Sequence, residues 1–261
     1  MVRLSQLRKS WICRYDAGWC GRNKSVEPRT SHRKPSMAAI SLQFDGPRKA
    51  KTCLVLAHGA GESSNSTFLS YFAENLAAMR HRVVRFDFPY MARRSIDGRK
   101  RPPDQESVLC ETWKSVVESL PYENLIIGGK SLGGRIATLV ADELQVAGVV
   151  CLGYPFHPTG RPEKLRVEPL QSLSRPTLIV QGEIDPFGSR AEVETYSLAS
   201  SVRLHWVPEG DHSYNVKRGS DRAHDQNLKN ALRSVEEFLF EIWSEAGTHS
   251  PRIGRIPPRG E

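Results

Sequence analysis

The stretch that most constrains this chain begins with the apolar run Asn124–Ile127. It continues as Gly128-Gly129-Lys130-Ser131-Leu132-Gly133-Gly134, and a helical pattern then runs from Leu132 to Leu144. Residues 129–133 fit G-x-S-x-G between a strand and a helix, the setting in which this pattern carries chemistry. A hydroxyl held clear at the head of a sheet needs a sharp backbone turn. Side chains two residues to either side would collide, so glycine is expected at both positions. The N-terminus of the following helix favours negative charge developing beside Ser131. Two other readings compete. A phosphate-binding P-loop would need glycine at position 124, where Asn stands. The stretch could also be an ordinary glycine-rich turn without chemistry.

Short apolar runs alternate with helical patterns on both sides of this turn. Strands are predicted at Lys51–Ala57, His81–Phe88, Asn124–Ile127, Val146–Leu152, Pro176–Val180 and Val202–Val207. Ala38 to Phe44 reads as the start of a further, first strand. Helices are predicted at Thr67–Met79, Glu106–Leu120, Leu132–Leu144 and Leu228–Trp243. Near-continuous apolar strands mean that both sheet faces are covered. The fold class is therefore α/β, a mostly parallel sheet of six or seven strands flanked by helices. In such sheets ligands bind at the C-terminal ends of the strands, so the residues just after each strand are the ones to read.

After Leu178-Ile179-Val180 comes Gln181-Gly182-Glu183-Ile184-Asp185-Pro186-Phe187. After the strand Val202–Val207 comes Pro208-Glu209-Gly210-Asp211-His212-Ser213. A serine hydroxyl is a weak nucleophile until an imidazole takes its proton, and a buried carboxylate fixes that imidazole's tautomer. In chain order, Ser131, Asp185 and His212 are the candidate nucleophile, acid and base. Glu183 is the alternative acid, and Asp211, adjacent to His212, is expected to point elsewhere. His205 lies within a strand and reads as structural.

The strand ending at Ala57 is followed by His58-Gly59-Ala60-Gly61. A backbone N–H of Ala60 or Gly61, paired with that of Leu132, would form an oxyanion hole. The same loop nearly matches a dinucleotide fingerprint, with Ser64 in place of the last small residue and Asp87 placed for a ribose. That reading leaves Ser131, Asp185 and His212 unexplained. Met91 to Pro103 is read as a basic loop near the pocket mouth, and Arg93 and Arg94 are expected to attract an anionic substrate. His58, Tyr90, His157 and Phe187 stand at or just past strand ends and are expected to bind substrate. Tyr154 to Arg175 holds four prolines and is too short for a large lid, so an open pocket for small acyl substrates is expected.

With these residues in place, the chain resembles the dienelactone-hydrolase-like group of small α/β hydrolases. More closely, it is similar to a bacterial branch of predicted hydrolases. Animal relatives of that branch include a testis-expressed protein and a subunit of a histone-acetyltransferase complex. The matching stretches are residues 56–61, 88–91, 128–135, 153–158, 181–182, 185–188 and 210–212. The resemblance implies the α/β-hydrolase fold over roughly residues 40–240. It also implies the carrying of nucleophile, acid and base onto Ser131, Asp185 and His212. Dienelactone hydrolases proper use a cysteine nucleophile. The serine here sets this chain apart from dienelactone turnover.

Composition bounds the partners. The 261 residues carry a formal net charge of +8. Residues 1–36 hold nine Lys/Arg against two Asp/Glu, and 246–261 hold three Arg against one Glu, leaving 37–245 at −1. Basic ends on a near-neutral body argue against nucleic-acid binding by the body. The five cysteines form no CxxC pair, so neither a zinc site nor a disulfide framework is expected, and a reducing, cytoplasmic setting follows. No run reaches membrane-spanning length and no secretory signal is visible. Neither metal nor organic cofactor is expected, since the triad performs acyl transfer alone. Residues 37–245 are read as one hydrolase domain, with 246–261 a disordered tail. Residues 1–36 have two readings, an overlong reading frame upstream of a true start at Met37 or a disordered or targeting extension. The function expected is a serine hydrolase of the carboxylesterase or thioesterase type. The alternative is a catalytically idle hydrolase-like protein that binds partners. Oligomeric state is left open.

Overall fold

The computed structural model describes residues 40–50, 53–216 and 221–248. Its centre is a seven-stranded sheet built from β1 (Leu42–Asp45), β2 (Cys53–Ala57), β3 (Arg82–Phe86), β4 (Leu125–Lys130), β5 (Gly148–Leu152), β6 (Thr177–Gly182) and β7 (Val202–Val207). The spatial order is β1-β3-β2-β4-β5-β6-β7. Only β1 runs antiparallel, against β3, and the other pairs are parallel. The helices are α1 (Thr67–Ala78), α2 (Pro89–Asp97), α3 (Glu106–Glu118), α4 (Leu132–Val140), α5 (Glu168–Ser172), α6 (Arg190–Val193) and α7 (Asp221–Thr248).

Every residue of β2, β4, β5 and β6 is buried, which is why these strands read as unbroken apolar runs. Successive side chains serve opposite faces. Val55, Ile127, Val149, Cys151 and Ile179 join one core with Trp113 of α3 and Ile136 of α4. Leu54, Leu56, Ile126, Val150, Leu178 and Val180 join the other with Leu69 and Phe72 of α1 and Leu232 and Phe238 of α7. Each fully buried side chain of this kind contributes roughly 1.5–3 kcal/mol. Both faces are therefore held by many comparable contacts.

Helix α2 corrects an expectation. The basic stretch after β3 is not simply a loop, since Pro89–Asp97 is helical and ends at Gly98 in the left-handed region (φ +70°). Proline suits the first turn, where its missing N–H has no partner to lose. Tyr90 and Met91 are buried, Arg93 is exposed and Arg94 half-buried, while Arg99, Lys100 and Arg101 follow the helix. No large lid follows β5, since Tyr154–Arg175 carries only the five-residue α5. Helix α7 runs to Thr248, into the first residues of the expected tail. No described helix is long and apolar enough to cross a membrane. The extension 1–36, the start at Met37 and the rest of the tail lie outside the described residues.

Candidate active site

Ser131 stands between β4 and α4 with φ +50° and ψ −109°, a conformation that costs a non-glycine residue about 1–3 kcal/mol. The surroundings enforce it. The Ser131 N–H donates to Leu152 O of β5 at 3.1 Å, and its carbonyl accepts the Arg135 N–H of α4 at 3.0 Å. A Cβ on Gly129 would fall 2.0 Å from the Ala57 carbonyl oxygen, and one on Gly133 would fall 2.3 Å from the same atom. The glycines are thus required by the end of β2, and not by each other across the turn as the sequence suggested.

Asp185 is fully buried in the turn after β6. Its Oδ1 accepts the Phe187 N–H at 2.8 Å. Its Oδ2 accepts Gln181 Nε2 at 2.9 Å and His212 Nδ1 at 2.7 Å. A carboxylate can only accept here, so the proton sits on Nδ1 and Nε2 is left free as a base. Burial lowers the His212 pKa below its usual 6.5, opposed by the Asp185 bond and reinforced by Lys130. The ring of Phe187 lies 4.4 Å from the His212 ring, centre to centre. Glu183 instead accepts from Arg190 at 2.9 Å and the Glu209 N–H at 3.1 Å. Asp211 accepts from Ser213 N–H and Asn215.

The loop after β2 abuts the serine, since a Cβ on Gly59 would fall 3.8 Å from Ser131 Cβ. Three of its consecutive carbonyls are held by side chains. His58 Nδ1 donates to Gly59 O at 2.6 Å, Tyr90 OH to Ala60 O at 3.1 Å, and Arg94 to Gly61 O at 3.0 Å. His58 Nε2 accepts the Phe88 N–H at 3.0 Å, so both ring nitrogens are spent on backbone, and burial lowers its pKa. His58 and Tyr90 are buried. Both bond backbone groups of the loop and of the segment after β3, and so brace the loop.

Two more of the expected substrate contacts have partners within the protein, one buried and one exposed. His157 is buried, donating through Nδ1 to Pro158 O at 3.0 Å, with Nε2 3.5 Å from Glu192. Arg93 is paired with Asp104 at 2.5 Å, whose other oxygen accepts the Tyr90 N–H at 2.8 Å. Arg94 does line a cavity of about 440 Å³ beside the loop, with Gly61, Glu62, Ser63, Thr67 and Ser95. Asp87, the candidate ribose partner, is spent on the Ser64 N–H at 2.7 Å.

This layout, with strand-end turns carrying serine, carboxylate and histidine in that order, coincides with a match to the α/β hydrolase domain over residues 50–240. The chain belongs to the α/β hydrolase domain family. Among curated proteins it is 31% identical over 138 residues to ABHD14B of Rattus norvegicus, provisionally named a protein-lysine deacylase. The match covers 52% of this chain and 63% of that protein, under two thirds of its length. Among solved structures it resembles Est1E from Butyrivibrio proteoclasticus, determined with ferulic acid bound. That pair has a TM-score of 0.60 and 16% identity, covering 78% of this chain and 96% of Est1E. It also resembles dienelactone hydrolase from Anabaena variabilis, with a TM-score of 0.58 and 24% identity, covering 74% and 89%. At such identities the structures speak for the fold alone.

Two buried side chains of this α/β hydrolase domain were not singled out from sequence. Gln181 also donates to Tyr154 O at 3.2 Å and Gly188 O at 3.1 Å, and its Oε1 accepts the Tyr154 N–H at 2.7 Å. It thereby locks the Asp185 turn to the end of β5. A glutamine closing the apolar strand TLIVQG was the available signal. The second is Lys130, a charged residue among buried glycines.

Proposed function

We propose that this protein is a serine hydrolase in which Ser131 attacks the acyl carbon of a small ester or thioester. The 2.7 Å bond between His212 Nδ1 and Asp185 carries the reading, because it leaves Nε2 as a proton acceptor, while Ser131 is held in a strained conformation at the strand-to-helix turn. Ser131 Oγ adds to the carbonyl while His212 takes its proton. The tetrahedral oxyanion is received by the N–H groups of Leu132 and of Ala60 or Gly61. His212 then returns the proton to the leaving group, and water attacks the acyl-enzyme by the same route in reverse. Bracing three loop carbonyls in advance supports this, since a preorganised donor pair needs no rearrangement as charge develops. The name of the rat relative adds acyl-lysine amides to the substrates worth testing.

The test is labelling by a fluorophosphonate probe, which phosphonylates only an activated serine. Wild type is expected to label, and Ser131→Ala and His212→Ala are not. A folded wild type that stays unlabelled overturns the proposal. A panel of short acyl esters, thioesters and acyl-lysine peptides then sorts the leaving group.

Two further results are expected. Because His212 is held below its usual pKa, kcat/KM should be flat near pH 7 and fall only as pH drops through a midpoint below 6.5. A midpoint above 6.5 contradicts the burial argument. Arg94 also lines the cavity, so Arg94→Gln should raise KM for carboxylate-bearing esters several-fold more than for neutral ones. A loss equal for both, seen in kcat, would assign Arg94 to the loop brace alone.

A further inference from the structure

Lys130 precedes the serine, yet its side chain leaves the pocket. It lies on the sheet face shared by α1 and α7, with Nζ 4.8 Å from the centre of the Phe68 ring and 5.7 Å from that of Tyr214. Only 7% of the residue is exposed. Its ammonium donates to the backbone carbonyl of His212, 82 residues away. Room for that contact comes from Gly153, where a Cβ would fall 2.9 Å from Nζ and 3.0 Å from His212 O. Among the described residues no carboxylate lies within ion-pair distance of Nζ.

A packing role does not account for a lysine here. An apolar side chain would fill the same space without a buried charge, and an unpaired buried charge is costly. What an apolar residue could not do is grip the His212 carbonyl from the strand that carries Ser131. We propose that Lys130 is a positioning residue, tying the turn that bears His212 to the elbow that bears Ser131 and placing a fixed positive charge beside the imidazole. This rests on the serine-hydrolase reading above. The charged groups acting on this pair are Asp185 and Asp211 around His212, and Asp185, Asp211 and Glu62 around Lys130. Burial draws the ammonium down to about 8 against those three carboxylates, so it remains largely charged at neutral pH. Its charge in turn disfavours protonation of His212.

The experiment compares wild type with Lys130→Met and Lys130→Arg by two readouts. The first is the rate of fluorophosphonate labelling against pH. Lys130→Met should label about 10–100-fold more slowly at its plateau, as expected for a misplaced catalytic group. Its acidic midpoint should also rise by about one pH unit, the size of shift that loss of a neighbouring charge produces. Lys130→Arg, which keeps the charge, should restore the midpoint. The second readout is NMR titration of the His212 imidazole, assigned by comparison with His212→Gln, which needs no activity. Its midpoint should rise in Lys130→Met and stay low in Lys130→Arg. A folded Lys130→Met with wild-type labelling and an unmoved His212 midpoint overturns the proposal. Should wild type fail to label, the hydrolase reading falls, and the NMR midpoints still decide whether Lys130 acts on His212. Should Lys130→Met not fold, an Arg variant titrating as the wild type does, while labelling slowly, supports the tie. An Arg variant whose His212 midpoint rises refutes the charge coupling.

Discussion

Replacing Ser131 with alanine is expected to lower kcat for ester hydrolysis on the order of 10⁶-fold, and His212→Ala by about as much. The two act as one unit: without the hydroxyl the base has nothing to activate, and without the base the hydroxyl is inert. Asp185→Asn is expected to cost less, about 10⁴-fold, because it leaves Ser131 and the oxyanion donors in place and spoils the tautomer. The amide would present an N–H where His212 Nδ1 now donates at 2.7 Å, and the ring would turn its proton toward the serine. The double variant Ser131→Ala/Asp185→Asn should be no worse than Ser131→Ala. Single-turnover and steady-state assays on the three singles and this double check the pattern. If the losses multiply in the double variant, the residues work independently and the triad is wrong.

The second large effect concerns stability. Gly129→Ala would set a methyl carbon 2.0 Å from the Ala57 carbonyl oxygen and 2.9 Å from its nitrogen, at a backbone φ of +148°. Both atoms belong to the central, fully buried β2, so neither can retreat without breaking the ladder to β4. Overpacking and strain together should destabilise the protein by at least about 3 kcal/mol. Gly61→Ala is the control for stability, since nothing lies within 4 Å of its would-be Cβ; it should stay within about 0.5 kcal/mol of wild type. Urea unfolding midpoints decide this. With a slope of about 2 kcal/mol per molar urea, Gly129→Ala should unfold more than about 1 M earlier, and equal midpoints for the two variants would refute the packing account.

Much of this was legible in the residues. The strands announced themselves because burial on both faces leaves no polar alternation to confuse with a loop. The positions of Ser131, Asp185 and His212 followed from where strands end. The directions of side chains did not follow. His58, Tyr90 and His157 each stand at a strand end, but sequence position fixes the layer a residue occupies and not the side it faces. Their partners, Gly59 O, Ala60 O and Pro158 O, are backbone atoms that no residue pattern displays. Arg93 looked free because its partner Asp104 is 11 residues away along the chain. Helix α2 was hidden by charge, since Arg93 and Arg94 within it and Arg99, Lys100 and Arg101 just after it mask the buried pair Tyr90 and Met91. Gln181 and Lys130 were visible as polar residues in apolar surroundings, but which distant carbonyls they bind depends on the crossing of chain segments in space.

One backbone atom has an outsized bearing on how such a protein can diversify. The Ala57 carbonyl oxygen limits both Gly129 and Gly133, and the loop that carries Ala60 and Gly61 begins at the next residue. The turn bearing Ser131 and the loop bearing Ala60 and Gly61 are therefore soldered along one seam, and a mutation there alters both together. On the proposed mechanism, variation in substrate range comes from elsewhere, from the half-buried Arg94 of α2 and from the turn around Ile184 and Phe187. A lineage exploring new acyl groups would keep the seam unchanged while those two rims accumulate substitutions, and a library built for altered selectivity is best confined to them.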